Sequence, residues 1–183
     1  MELADILVSD LNALPYFITE AQTGQTVPVR FEPLALDDIS ELQSDTWNQA
    51  VFSAVWQNYA GDTRTYKLVC TAENDTRIQG ITRLGKVLQF GGLLEKSLLE
   101  TAPFNRTQSS QRQYRGVGRV LIARLVVESH FLGARGKVRV KPRRGTEAFY
   151  EVLGFRKFAG DYKYMELYPS EAEQLLNQSL LNQ

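Results

Sequence analysis

The sequence predicts a single α/β (α+β) domain built on a mixed β-sheet with helices packed against it. Short apolar runs alternate with segments of helical spacing, in the order strand, helices, a run of antiparallel strands, helix, strand, helix, strand, helix. The breaks between them fall at Gly, Pro, Asn and Asp, the residues that punctuate secondary structure. The chain of 183 residues shows no internal repeat and no linker, and it is long enough to bury one good core. The expected organisation is an adjustable N-terminal flank over residues 1–26 and one domain over residues 27–183.

Within the flank, Leu3, Ile6, Leu7 and Leu11 recur at helical spacing, after which periodicity is lost around Pro15 and Gly24. Val27 to Leu34 reads as a strand, and Pro28 inside it predicts an edge position, because proline cannot donate to a ladder. Asp37, Asp38 and Ser40 are helix-start residues. A helix is expected from Thr46 to Tyr59, with Trp47, Ala50, Val51, Ala54 and Val55 on one face. Trp47, Phe52, Trp56 and Tyr59 are core residues on this reading, or the lining of an acceptor groove. Gly61-Asp62 ends that helix. Tyr66–Ala72 and Arg77–Leu84 read as strands joined by the turn Glu73-Asn74-Asp75-Thr76, and Lys86–Phe90 and Leu93–Thr101 as strands separated by Gly91-Gly92. Ala102-Pro103 stops the last of these, and the polar stretch Phe104–Arg112 is a loop long enough to be functional.

The motif Gln113-Tyr114-Arg115-Gly116-Val117-Gly118-Arg119 then opens a helix, with Val117, Val120, Leu121, Arg124, Leu125 and Glu128 at helical spacing and Gly133 in a C-cap role. Lys137–Lys141 is a strand with Val138 and Val140 facing inward, and Pro142 ends it. Glu147–Leu153 is a short helix closed by Gly154, Tyr162–Tyr168 is the final strand, and Pro169-Ser170-Glu171 opens a terminal helix carrying Leu175, Leu176 and Leu180.

Composition excludes several function classes. Lys plus Arg and Asp plus Glu both number 21, so no electrostatic field of one sign recommends a nucleic-acid partner. One cysteine, Cys70, cannot form an internal disulfide, and one histidine, His130, cannot build a zinc site, so no metal is expected. His130 falls near the end of the long helix, where the dipole favours an imidazolium. With an acidic N-terminus and no spanning apolar run, the sequence predicts a soluble, cytoplasmic protein without membrane contact.

The glycine motif carries the chemistry. Gly116 and Gly118 lack Cβ where a backbone would approach a ligand, and the helix that follows aims unpaired N–H groups and its positive dipole end at the turn. That arrangement suits a phosphate or pyrophosphate. Arg112, Arg115 and Arg119 add cations at a helix N-terminus, where they are unfavourable without an anion. The motif lacks a Lys-Ser/Thr ending and no acidic residue is placed for a ribose, which speaks against a nucleotide-binding turn.

Gln113-x-x-Gly116-x-Gly118, followed by a helix, a strand and Phe149-Tyr150-x-x-Leu153-Gly154-Phe155, resembles the GNAT superfamily of acyl-CoA-dependent N-acetyltransferases. The resemblance implies a mostly antiparallel central sheet splayed into a V between the strands near Leu93–Thr101 and Lys137–Lys141, with helices on both faces. It implies acetyl-CoA or another acyl-CoA as donor, its pantetheine arm along Leu98, Leu99 and Thr101. The pyrophosphate would lie on Gln113, Tyr114, Arg115, Gly116, Val117, Gly118 and Arg119. Related sequences often carry an asparagine before the last helix; Pro142-Arg143-Arg144-Gly145 stands there, and Arg143 or Arg144 would substitute by charge. Tyr150 matches the superfamily's proton donor to the departing thiolate. Glu100, at the strand end beside the V, is the candidate base, with Asn105 or a water chain as alternatives. The implied activity is acyl transfer to a primary amine of a small molecule, peptide or protein, by a monomer or homodimer. The competing reading is a non-catalytic acyl-CoA-binding or protein-interaction module on the same fold.

Overall fold

The computed structural model describes residues 14–44, 47, 53–72, 75–88, 93–95 and 98–180. The strands are β1 (Tyr16–Glu20), β2 (Thr26–Pro33), β3 (Thr65–Cys70), β4 (Gly80–Arg83), β5 (Lys86–Leu88), β6 (Leu93–Glu95), β7 (Leu98–Thr101), β8 (Tyr114–Arg115), β9 (Val138–Val140), β10 (Arg156–Lys157) and β11 (Met165–Leu167). The helices are α1 (Ile39–Leu42), α2 (Ser53–Gln57), α3 (Val117–Phe131), α4 (Glu147–Val152) and α5 (Pro169–Leu180), with 3-10 turns at Leu36–Asp38 and Pro103–Asn105.

Two sheets form. One has six strands in the order β7-β4-β3-β2-β1-β8, all antiparallel; the other has five, β10-β11-β9-β6-β5, and its β6–β9 pair is parallel. The expected single strand Leu93–Thr101 is therefore two. Its first part, β6, belongs to the five-stranded sheet and meets β9 at Leu94 and Val138, while its second part, β7, pairs with β4 in the other sheet. The strand that enters beside β9 leaves it, and the two sheets separate there.

Helices cover both faces because side chains alternate along each strand. On β4, the absent side chain of Gly80 faces Leu121 and Val117 of α3, and the next residue, Ile81, joins the opposite cluster with Trp47, Trp56, Leu34, Leu42, Ile78 and Ala102. Trp47 and Trp56 are both fully buried, which settles them as core; Phe52, Ala50 and Val51 lie outside the described residues. The larger cluster runs under α3 and α5, where Ala172, Leu175, Leu176 and Leu180 pack. α3 is buried nearly all round, and its Arg124 is met in the interior by the Glu128 carboxylate (2.9 Å) and by the face of Tyr66.

Three strand readings change. The stretch taken as an adjustable flank contains β1, whose Tyr16 and Ile18 are buried and which pairs with β2 from Tyr16↔Val29 to Thr19↔Thr26. Pro28 consequently lies in an interior strand. It is tolerated because its carbonyl accepts from Thr71 N–H (3.0 Å), one residue past the end of β3, so the missing donor falls where the ladder with β3 runs out. The two-residue strands β8 and β10 were too short to show any period. His130 is also corrected: half-burial pushes its imidazole below the ordinary value despite the helix end and the opposing charge of Glu173. Its Nε2 is buried without a partner.

Candidate active site

Where the sheets part, a slot of about 830 Å³ opens, with Leu98–Thr101 of β7 on one wall and Val140, Lys141 and α4 on the other. β7 is the outermost strand of its sheet, so its outer edge borders the slot instead of another strand. The N-terminus of α3 also lines it.

Gly116 is the N-cap of α3 at φ +84°, a left-handed conformation that favours glycine, and a Cβ there would meet nothing within 4 Å. The first helical bond is Val120 N–H to the Gly116 carbonyl (3.0 Å), so the N–H groups of Val117, Gly118 and Arg119 precede the intrahelical ladder. Gly118 also serves a purpose besides the expected one. A Cβ on it would come within 2.9 Å of the Phe149 ring, so its small size admits that ring against α3.

Of the residues expected along the turn, Gly116, Val117, Gly118 and Arg119 line the slot, as do Leu98, Leu99, Thr101 and Arg143. The structure does not bring Gln113, Tyr114 and Arg115 there. Arg115 and Tyr114 pair with Thr19 and Glu20 of β1, and the Gln113 carbonyl accepts from Ala21 N–H (2.7 Å). Behind the turn stands a polar hub. The Asp75 carboxylate accepts from Tyr114 hydroxyl (3.1 Å), from Gln79 Nε2 (3.2 Å) and from both Arg77 Nε and Nη2 (2.9 Å each). Asn105 donates to Gln79 Oε1 (2.8 Å) and accepts from Tyr114 N–H (3.0 Å), so its amide is spent on structure at both ends.

Tyr150 sits on α4, buried, with its ring edge-on to Phe149 (5.0 Å) and Phe155 (5.4 Å). The helix stops one turn later because Gly154 takes φ +92°, letting Phe155 N–H reach back to the Tyr150 carbonyl (3.0 Å). Tyr150 lines the slot, its hydroxyl bonds to no described residue, and burial pushes the phenol up to about 12.

Glu100 also lines the slot, on the same face of β7 as Leu98. Its side chain is buried, Oε2 accepting from Trp56 Nε1 (3.0 Å) and Oε1 from Arg106 Nη2 (2.7 Å). The only acidic residue on the slot is thus already in an ion pair, against cations Arg106, Arg112, Arg119, Lys141 and Arg143 among the described residues. Burial, then the neighbouring Arg115 charge, holds Arg112 below the ordinary guanidinium value. Sequence reasoning missed Arg106 and Lys141. Arg106 looked like one more polar loop residue, and only the fold turns it back onto Glu100. No group of three or more His, Cys, Asp or Glu residues suited to a metal occurs among the described residues. None of the helices within them is long and apolar enough to cross a membrane.

No family model and no curated protein matches the sequence. Solved structures do. A protein from T. thermophilus solved as a candidate acetyltransferase is 12% identical with a TM-score of 0.54, over 82% of this chain and 90% of that one. An acetyltransferase (GNAT family) from Bacillus anthracis is 11% identical with a TM-score of 0.52, over 84% and 99%. A spermidine N-acetyltransferase SpeG chimera from Vibrio cholerae and hSSAT is 14% identical with a TM-score of 0.50, over 79% and 98%.

Proposed function

The chain has the GNAT fold, and we propose that it is an acyl-CoA-dependent N-acyltransferase acting on a primary amine. The observation that carries this reading is the slot between the parted sheets, which brings a strand edge, a glycine-opened helix N-terminus and Tyr150 to one cavity. The residues fit the donor. The outer edge of β7 suits the amide-bearing pantetheine arm, as an added strand would. The open Gly116 corner and the first amides of α3 suit the diphosphate, with Arg112, Arg119, Lys141 and Arg143 to answer its charge.

Bound acyl-CoA supplies a thioester carbonyl for the amine to attack and a thiol to depart. Glu100 takes the proton that an incoming ammonium must lose before its nitrogen can attack. Tyr150 gives its hydroxyl proton to the departing sulfur, and regains one released from the acylated nitrogen. Its environment keeps the phenol protonated at neutral pH, the state a donor needs. The hydrophobic contacts with Phe149 and Phe155 hold the ring in place.

The test is Tyr150→Phe, followed by thiol release with acetyl-CoA across an amine panel and by calorimetric binding of acetyl-CoA. Expected are a loss of about 10²- to 10⁴-fold in kcat, the usual worth of a general acid, and an unchanged binding constant. Full activity in the variant removes Tyr150 as donor. A wild type that binds acetyl-CoA yet acylates no amine favours the binding-module reading.

A further inference from the structure

Tyr150 rides on a slight support. α4 is six residues long, too short to hold itself in water, and Tyr150 is its one buried side chain. β7 and β9 belong to different sheets, so no ladder between them sets how far α4 stands from the N-terminus of α3. A side-chain contact does so instead. Gly118, in the first turn of α3, faces the tip of the Phe149 ring: a Cβ at position 118 would lie 2.9 Å from Cζ and 3.1 Å from Cε2 of that ring, and 3.6 Å from Thr101 Oγ1 of β7. Helix α3, strand β7 and helix α4 thus converge on a residue that has no side chain.

Phe149 in turn lies edge-on to Tyr150 (5.0 Å), which also meets Phe155 edge-on (5.4 Å). Phe149 is 38% exposed and lines the slot, so its ring is a bridge between α3 and Tyr150 and not a core residue. We propose that Phe149 is a positioning residue: its ring, seated on Gly118, sets the distance between the helix corner that receives the donor's diphosphate and the phenol that protonates the departing sulfur. This inference rests on the acyltransferase reading above. With the diphosphate held at the corner, the sulfur lies one pantetheine arm away, and the phenol has to stand at that point. A misplacement of about 1 Å in such an arrangement costs about 10²-fold in rate.

The size of residue 118 is therefore matched to the ring at 149. Gly118 is not among the glycines at positive φ, so alanine fits the backbone there, keeps the N–H and favours the helix. The added methyl falls on Phe149, which has to move, and Tyr150 moves with it.

The experiment compares G118A, F149L and the double variant with the wild-type full chain. It reads kcat and KM for acetyl-CoA with an amine that the wild type acylates, and acetyl-CoA binding by calorimetry. G118A should lower kcat about 10- to 100-fold with acetyl-CoA binding little changed. F149L alone should lower kcat less. In the double variant the shorter side chain makes room for the methyl, so kcat should rise above that of G118A. Y150F distinguishes positioning from a merely structural role. With the phenol hydroxyl gone, G118A should lower kcat hardly further, because the interaction it spoils is already absent. The proposal is overturned if G118A retains wild-type kcat, if the losses of G118A and F149L multiply in the double variant, or if G118A costs as much in Y150F as in the wild type. A wild type that binds no acetyl-CoA or acylates no amine removes the acyltransferase reading and this one together, whereas any of those three results with an active wild type removes only this one.

Discussion

Two single side chains give the molecule opposite responses to pH. Tyr150 is buried and pushed up to about 12, so its proton stays in place through the alkaline range in which an amine acceptor becomes neutral. His130 is held below its ordinary value of 6.5, chiefly by burial, with Glu173 opposing. Between its native value and 6.5 the unfolded chain binds more protons than the folded one, so stability is complete above 6.5 and drains away as pH falls through that window. The expected outcome is a flat Tm from pH 8 to 7 and a decline from pH 7 downward, flattened in His130→Asn. The raised carboxyl of Glu41 acts with the opposite sign, strengthening the fold on protonation, but from its ordinary value of 4.5 upward. A wild-type decline that persists undiminished in the variant assigns the effect to other groups. The Nε2 is buried without a partner among the described residues, and a Cβ on Gly136 would lie 2.6 Å from it, so the glycine leaves room for the ring.

At the scale of elements, the glycine corner owes its position to the hub behind it. Asp75 ties the approach to β4 to Tyr114 of β8, and β8 in turn fixes the two residues before Gly116. Burial alone would raise the Asp75 carboxyl, but hydrogen bonds and charge from Arg77, with Tyr114 helping, outweigh it and hold the group below its ordinary value. Asp75→Ala should therefore cost about 1–3 kcal/mol by removing the acceptor that Tyr114, Gln79 and Arg77 share, read in a urea titration. It should also raise KM for acetyl-CoA more than it lowers kcat. An unchanged KM would mean that β1 alone secures the turn. This hub explains the limits of what could be read from the chain. Elements marked by local chemistry were legible: α3 from Gly116 to the Gly133 stop, α4 with its Gly154 end, β9 with Val138 and Val140 inward, and α5 from Pro169. Pairings between distant segments were not, because Asp75 with Tyr114, Glu100 with Trp56 and β1 with β8 leave no periodic trace. The break between β6 and β7 is of the same kind, since an apolar run looks alike whether it serves one sheet or two.

Across the whole molecule, the parting of the sheets leaves the slot that the proposed donor would fill. The two sheets share the segment from Leu93 to Thr101 and the α3 packing beneath, yet beyond Leu94↔Val138 no ladder joins β7 to β9. A donor seated in the slot contacts both halves and binds only the folded chain, so it stabilises by mass action. At a hundredfold excess over Kd that amounts to about 2.7 kcal/mol. For a chain of this length it corresponds to a rise in Tm of roughly 5–11 °C. CoA and acetyl-CoA should give similar shifts, because the anchors proposed here are the phosphates and the pantetheine amides, while pantetheine without phosphates should give little at the same concentration. Hydrogen exchange should show new protection at Leu98–Thr101 and at Gly116–Arg119, the strand edge and the helix corner together. Protection at only one of the two, or a Tm indifferent to millimolar CoA, would mean that the donor does not bridge the sheets, and the slot would then need another occupant.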